Sequence, residues 1–293
     1  MQSTMNIYNA VNSSQSPDDI TSTITSLSDG KVDLLLHLAD TALILSQRNA
    51  AWCGHGPILE QDIAITNISL DLLGQARNFY QYAAKIINEA TSVTAAEQVN
   101  NADGLLEASE DSLACLRTER EFKNLLLVEQ PNGDWGQTIL RQYLFSQYQY
   151  LMYQQFQQSS DQQLAAIAEK AIKEVTYHVR WSSEWVIRLG DGTPESHTRM
   201  LNALGELWTY TGEFFMPAEY EKKETIGFEL DAIKQPWIEK VTQLFEAATL
   251  PSPSNMEGVF MKAGGKTGIH TEQLGFILAE MQYLHRTYPN SFW

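Results

Sequence analysis

An acid and an imidazole stand four residues apart in Glu174-Val175-Thr176-Tyr177-His178, so both can face the same way from a helix. Oxygen and nitrogen donors of this kind hold transition-metal ions. A helical bundle with a carboxylate-bridged metal pair takes one Glu from each of two helices and a Glu-x-x-His from each of two others. Asp40 and Asp71 are the further acids placed to contribute, and the count then fails twice. No histidine lies between His55 and His178, and the third residue after Asp71 is Gly74, so one metal has no nitrogen ligand. The stretch from Trp135 to Gln158 holds no acid, with Ser146 and glutamines where an inward carboxylate is needed. Asp40, Asp71, Glu174 and His178 therefore read as remnants of a metal site, with no metal and no catalytic residue expected in this chain. A hydrogen-bonded polar cluster is expected instead, with Arg77, Arg141 or Arg180 neutralising the buried acids.

Two other motifs hold reactive residue types. Cys53-Gly54-His55 pairs two zinc ligands, but no second Cys/His pair completes a tetrahedral site, and the spacing fits an interhelical turn. Gly264-Gly265-Lys266-Thr267-Gly268 lacks the spaced first glycine and the preceding strand of a nucleotide-binding phosphate loop. It remains a candidate ligand or interface loop, in which Gly264, Gly265 and Lys266, with His270 nearby, shape a backbone nest for an anionic group. The blander reading is a flexible lead into the last helix, with Thr271 as its cap.

Positioning such residues takes long helices, and the apolar pattern supplies them. Helices are expected over Val32–Asn49, Ile58–Asn88, Ser112–Glu129, Trp135–Gln158, Asp161–Leu189, Pro194–Phe215, Ala232–Ala248 and Thr271–Thr287. Trp52 to Pro57, Gln130 to Gly133 and Gly190-Asp191-Gly192 punctuate them with residues that favour turns or end helices. Residues 89–111 carry acids and no base and read as an exposed acidic loop. Residues 1–30, rich in Ser and Thr without Lys or Arg, read as a flexible leader to a single domain over 31–293. No sustained apolar/polar alternation marks a strand. The fold class is all-α: a ferritin-like helical bundle with additional C-terminal helices.

Composition narrows the partners. The formal net charge of −16 repels a phosphate backbone, so no nucleic acid is expected. No apolar run approaches the roughly 18 residues that span a bilayer, and the chain starts without a targeting pattern, so no membrane and a cytoplasmic location are expected. Cys53 and Cys115 are expected as free thiols.

Four segments carry a family resemblance: WCGHGPILEQDIAITNISLDLLGQARNF from Trp52, LLLVEQPNGDW from Leu125, KEVTYHVRWSSEWVIRLGDGT from Lys173 and GGKTGIHTEQLGFILAEMQYLHRTYPNSFW from Gly264. Together they resemble the PaaC family of subunits of the ring-1,2-phenylacetyl-CoA epoxidase, over most of residues 32–293. The resemblance implies a ferritin-like fold and a non-catalytic structural or regulatory subunit in aerobic phenylacetate degradation. It implies a homologous catalytic subunit holding the di-iron centre and the CoA thioester, and further small subunits. A reductase subunit would use NADPH, flavin and iron–sulfur chemistry to support the oxygen-dependent epoxidation. It leaves room for self-association within the complex, and it carries over no catalytic residue. A stand-alone ferritin-like di-metal oxygenase and a metal-free acyl-CoA-binding protein are the alternatives.

Overall fold

The apolar run Leu34-Leu35-Leu36, continued by Leu38, Leu43, Ile44 and Leu45, makes α1 (Gly30–Ala50) a helix buried on nearly every face. The computed structural model describes residues 30–97, 108–223 and 229–288. Against α1 runs α2 (Leu59–Glu97), whose Ile65, Ile68, Leu72, Ala76 and Phe79 point inward. A second pair completes the bundle: α5 (Trp135–Phe156) and α6 (Gln162–Gly190). Asp134 caps α5 by accepting from the Gln137 backbone, and Asp161 caps α6 by accepting from Gln163 and Leu164. Pairing of Asp71 with His178 and of Gln75 with Glu174 shows that α2 and α6 run antiparallel.

Between the pairs lie α3 (Glu110–Cys115) and α4 (Leu126–Glu129). Further along, α7 (Pro194–Leu207) runs into a 3-10 segment, Trp208–Phe215, followed by α8 (Glu219–Lys223) and α9 (Leu230–Ala247). The last elements are α10 (Glu272–Met281) and α11 (Tyr283–Thr287). Trp237 on α9 donates to the Leu144 carbonyl of α5, and its ring meets Trp208, Phe214 and Phe215, which ties the C-terminal half to the bundle. Among the described residues there is no strand, and no helix is long and apolar enough to cross a membrane. The architecture is an all-α, ferritin-like bundle with added C-terminal helices.

The helices expected over 194–215 and 271–287 each divide in two, and two larger expectations change. The helix expected over 112–129 is broken into α3, a 3-10 turn and α4. Its backbone has other partners: Lys123 N donates to Asp40 Oδ2 at 2.8 Å, Leu125 N to Thr41 Oγ1 at 3.2 Å and Leu126 N to Glu213 Oε2 at 2.7 Å. A continuous helix would turn those N–H groups inward on itself. Within the acidic loop expected over 89–111, residues 89–97 belong to α2 and residues 110–111 to α3. Acidity does not oppose a helix, and Glu and Ala are good helix formers. Residues 98–107 and 1–29 lie outside the described residues, and with them nearly all of the expected leader; Gly30 opens α1.

Candidate functional site: the bundle centre and the glycine-rich loop

The four acid and imidazole positions do not converge. Asp40, wholly buried on α1, accepts from both terminal guanidinium nitrogens of Arg117, from Tyr80 Oη at 2.5 Å and from the Lys123 backbone N–H. These donors occupy the carboxylate lone pairs that a metal would need. Arg117 is itself held by the Leu113 and Glu121 carbonyls and lies 4.4 Å from the Phe122 ring centre. Burial is the largest single influence and works against its charge, but Asp40, Tyr80 and Glu121 together outweigh it and raise the pKa.

Asp71 and His178 form a separate pair across α2 and α6, with Nε2 3.0 Å from Oδ2. His178 is fully buried, and its Nδ1 meets no partner among the described residues. Glu174 accepts from Gln75 Nε2 at 2.9 Å, and Gln75 Oε1 accepts in turn from Gln149 Nε2 and Tyr153 Oη. Farther along, Asn49 donates to Gln142, which donates to Ser146. Amides, a phenol and a hydroxyl thus line the interior of α5. They are poorer ligands for a hard divalent cation than carboxylates and imidazoles.

None of the three arginines expected to neutralise these acids does so. Arg77 pairs with Glu110 at 3.0 Å, Arg180 lies over the Tyr177 ring, and Arg141 donates to Gln130 O and Asn132 Oδ1. Burial, aided by the charge of Arg48, pushes the Arg141 pKa down to about 9. Arg117 takes the role instead, reaching back 77 residues to Asp40. Cys53 is exposed, and His55 Nδ1 lies 3.1 Å from its backbone carbonyl rather than facing its thiol.

The glycine-rich loop does form a nest, and a carboxylate of the chain itself fills it. Gly264 N and Gly265 N both donate to Glu213 Oε1, at 2.9 and 2.7 Å, while Glu213 Oε2 accepts from Leu126 N. Burial raises the Glu213 pKa against the opposing pull of these backbone donors. Lys266 is buried, with Nζ 3.0 Å from both oxygens of Glu221 and 3.1 Å from the Met216 carbonyl. His270 lies between Glu129 and the Phe122 carbonyl. Thr271 stands at the start of α10, but its hydroxyl donates to Glu129 rather than capping the helix. Arg117, Glu129, Glu213 and Glu221 escaped the sequence reading because each finds its partner far along the chain. The run Gln142, Ser146, Gln149, Tyr153 did leave a signal: polar groups at alternating steps of four and three along a helix rich in aromatic residues.

Comparison with known proteins agrees with this architecture. The family described as "Phenylacetic acid catabolic protein", which groups the PaaA and PaaC proteins, matches residues 15–293. The chain belongs to that family. It is also 44% identical over 261 residues, 88% of this chain and 97% of the relative, to a protein of Escherichia coli (strain K12) named as a subunit of 1,2-phenylacetyl-CoA epoxidase.

In this family member the bundle donors do not fit a di-metal centre. Among the described residues no three His, Cys, Asp or Glu side chains are grouped to hold a metal ion. The acids that are present are engaged: Asp40 by a guanidinium, Asp71 by an imidazole and Glu174 by an amide. Such an arrangement fixes four helices against one another; it offers no open coordination position.

Proposed function

We propose that this chain is a supporting subunit without chemistry of its own in a multicomponent phenylacetyl-CoA epoxidase. It would work in the cytoplasm beside a homologous subunit that holds the di-iron centre and the CoA thioester. Resemblance and name bring it to that complex, through the relative named as a 1,2-phenylacetyl-CoA epoxidase subunit. The observation that supports the non-catalytic part is Asp40. In a bundle that binds metal such an inward acid is left free for the ion, whereas here Arg117, Tyr80 and the Lys123 N–H surround it. A buried guanidinium facing the carboxylate would also repel a divalent cation.

The experiment has two arms. Iron, manganese and zinc are measured per chain in protein purified alone from metal-replete cells. Oxygen- and NADPH-dependent epoxidation of phenylacetyl-CoA is then assayed with the homologous oxygenase subunit and reductase, with and without this chain. The expected result is a folded chain with nearly no metal, inactive alone, whose addition restores epoxidation. About two tightly held irons per chain would make this the oxygenase itself. Epoxidation that proceeds equally well without the chain would remove it from the reaction.

A further inference from the structure

The amides at the bundle centre fix one another's orientation. Glu174 Oε2 accepts from Gln75 Nε2 at 2.9 Å, so the oxygen of that amide is the end turned toward Gln149 and Tyr153. Gln149 must then present Nε2 to it, and the same nitrogen lies 3.2 Å from Tyr153 Oη. The other end of the Gln149 amide, Oε1, is an acceptor that meets no partner among the described residues, on a side chain 1% exposed.

Next to it on α5, Tyr148 repeats the situation. Its ring stacks on Phe214 with centres 4.7 Å apart, the residue is 1% exposed, and its hydroxyl meets no partner among the described residues. Native interiors satisfy nearly all such groups, with protein or with ordered water.

Both side chains line one cavity, together with His37 and Thr41 of α1 and the apolar Leu125 and Phe145, and all of these residues are buried. The cavity leaves about 10 Å³ for the centre of a water-sized sphere, which is room for a single water. His37 supplies a further acceptor. Its Nδ1 lies 2.6 Å from the Lys123 carbonyl, to which it can only donate, and burial keeps the ring neutral with a pKa lowered to about 4, so Nε2 carries no proton.

One donor and two acceptors around a space of this size match the bonding of water. An apolar guest would leave Tyr148 and Gln149 unmet, and a cation would be buried with no carboxylate on the walls.

We propose that this cavity holds one structural water, which accepts from Tyr148 Oη and donates to Gln149 Oε1 and His37 Nε2. With it, a continuous run of hydrogen bonds crosses from Glu174 on α6 through Gln75 on α2 and Gln149 on α5 to His37 on α1, and on to the Lys123 carbonyl. A carboxylate-bridged metal pair ties four bundle helices together through its ligands. Here two amides and a water join all four. This site stands independently of the function proposed above.

A crystal structure of the full chain, fine enough to show interior waters, tests it alongside the same structure of Tyr148→Phe. The wild type should show one round peak within about 3.2 Å of Tyr148 Oη, Gln149 Oε1 and His37 Nε2. Tyr148→Phe should lose the peak while the bonds among Glu174, Gln75 and Gln149 stay. In solution, relaxation dispersion of the water oxygen nucleus should count one fewer long-lived water in Tyr148→Phe. Tyr150→Phe is the control, because its hydroxyl meets Gln154 at the surface, and its count should equal the wild type's. A wild-type map with other interior waters but none here, or with Tyr148 Oη and Gln149 Oε1 bonded directly to protein groups, overturns the site. So does xenon bound in the cavity under pressure, the behaviour of a dry apolar void. An equal count of long-lived waters in wild type and Tyr148→Phe would overturn the bridge through Tyr148.

Discussion

His270 sets Nδ1 2.5 Å from Glu129 Oε1, with both side chains buried. Its other ring nitrogen, Nε2, lies 2.8 Å from the Phe122 carbonyl, which can only accept, so Nε2 donates. Glu129 also accepts from Asn124 and from the N–H and hydroxyl of Thr271. Nδ1 faces a carboxylate oxygen and Nε2 a carbonyl oxygen, so with both ring nitrogens donating the imidazole is held in its charged form. Burial is the largest single influence and opposes the charge, but the bond to Glu129, that residue's charge and the Phe122 carbonyl together raise the pKa above the ordinary 6.5. A raised folded pKa gives stability that is complete below 6.5 and is lost as pH rises through the folded value. Urea unfolding at several pH values from 6 to 9 should show that loss in the wild type. His270→Gln should cost about 3 kcal/mol at pH 6 and remove most of the slope.

His37 acts in the opposite direction. Its Nδ1 lies 2.6 Å from the Lys123 carbonyl, and burial lowers its pKa to about 4 despite the opposing charge of Glu221. Between pH 6.5 and 4 the unfolded chain takes up a proton that the folded chain refuses, so stability falls with pH through that window. The loss attributable to His37 is on the order of 3 kcal/mol. His37→Gln should reduce the acid slope in that window and leave the slope above pH 7 unchanged. An unchanged acid slope would mean that His37 titrates normally in the fold.

The pairing of Asp40 with Arg117 predicts an asymmetry between single and double variants. Arg117→Met leaves a buried carboxylate with only Tyr80 and one backbone N–H, and Asp40→Asn leaves a buried guanidinium without its counter-charge. Each should cost about 3–5 kcal/mol. The double variant should cost less than the sum of the two, because neither charge is then left unpaired. Denaturant midpoints of the four proteins measure the coupling, and simple additivity would show that the pair does not act as a unit.

Glycines separate two physical situations. A Cβ on Gly265 would lie 2.1 Å from the Asn124 carbonyl oxygen, and one on Gly268, whose φ is +80°, would lie 2.2 Å from the Arg120 carbonyl oxygen. Alanine at either position must push the loop off the segment that anchors Asp40, at a cost of about 3 kcal/mol or more. Gly205 sits exposed inside α7 with nothing within 4 Å of the added carbon. Gly205→Ala should therefore stabilise the chain by about 0.5–1 kcal/mol. Thermal melts of the three variants, read against the wild type, test both signs.

How much of this was legible follows from the range over which each feature is encoded. The helices α1, α2, α5 and α6 show in the sequence because long stretches rich in apolar and aromatic residues, without strand alternation, are punctuated by Pro57, Pro131 and Gly190. Residues 112–129 misled because their backbone bonds go to Asp40, Thr41 and Glu213, more than 80 residues away. Lys266 in its glycine-rich setting looked available to an anion, and only the fold shows Glu221 and Glu213 arriving from the preceding elements. The missing ligands were countable from residue types alone. Arg117 as the partner of Asp40 was not, since nothing local joins the two. The apolar width of α2 was visible, but which of its apolar residues face the bundle needed α1 in place.

Glu174 gives the sharpest test of whether any residual chemistry lives in this bundle. Its carboxylate accepts one bond from Gln75 Nε2, and Gln75 Oε1 is engaged by Gln149 and Tyr153. Glu174→Gln keeps an oxygen acceptor of the same reach, so the chain of bonds survives. Glu174 is also partly open to water, which limits the cost of any mismatch. Stability should change by less than about 1 kcal/mol, and epoxidation by the assembled complex should stay within about twofold. A ligand carboxylate behaves otherwise, because an amide cannot replace its charge at a metal. Loss of activity by roughly 100-fold with an unchanged melting temperature and unchanged co-elution would place Glu174 in the chemistry after all. Glu174→Leu provides the contrast, since it strands Gln75 Nε2 without an acceptor and should cost about 1–3 kcal/mol with little direct effect on turnover.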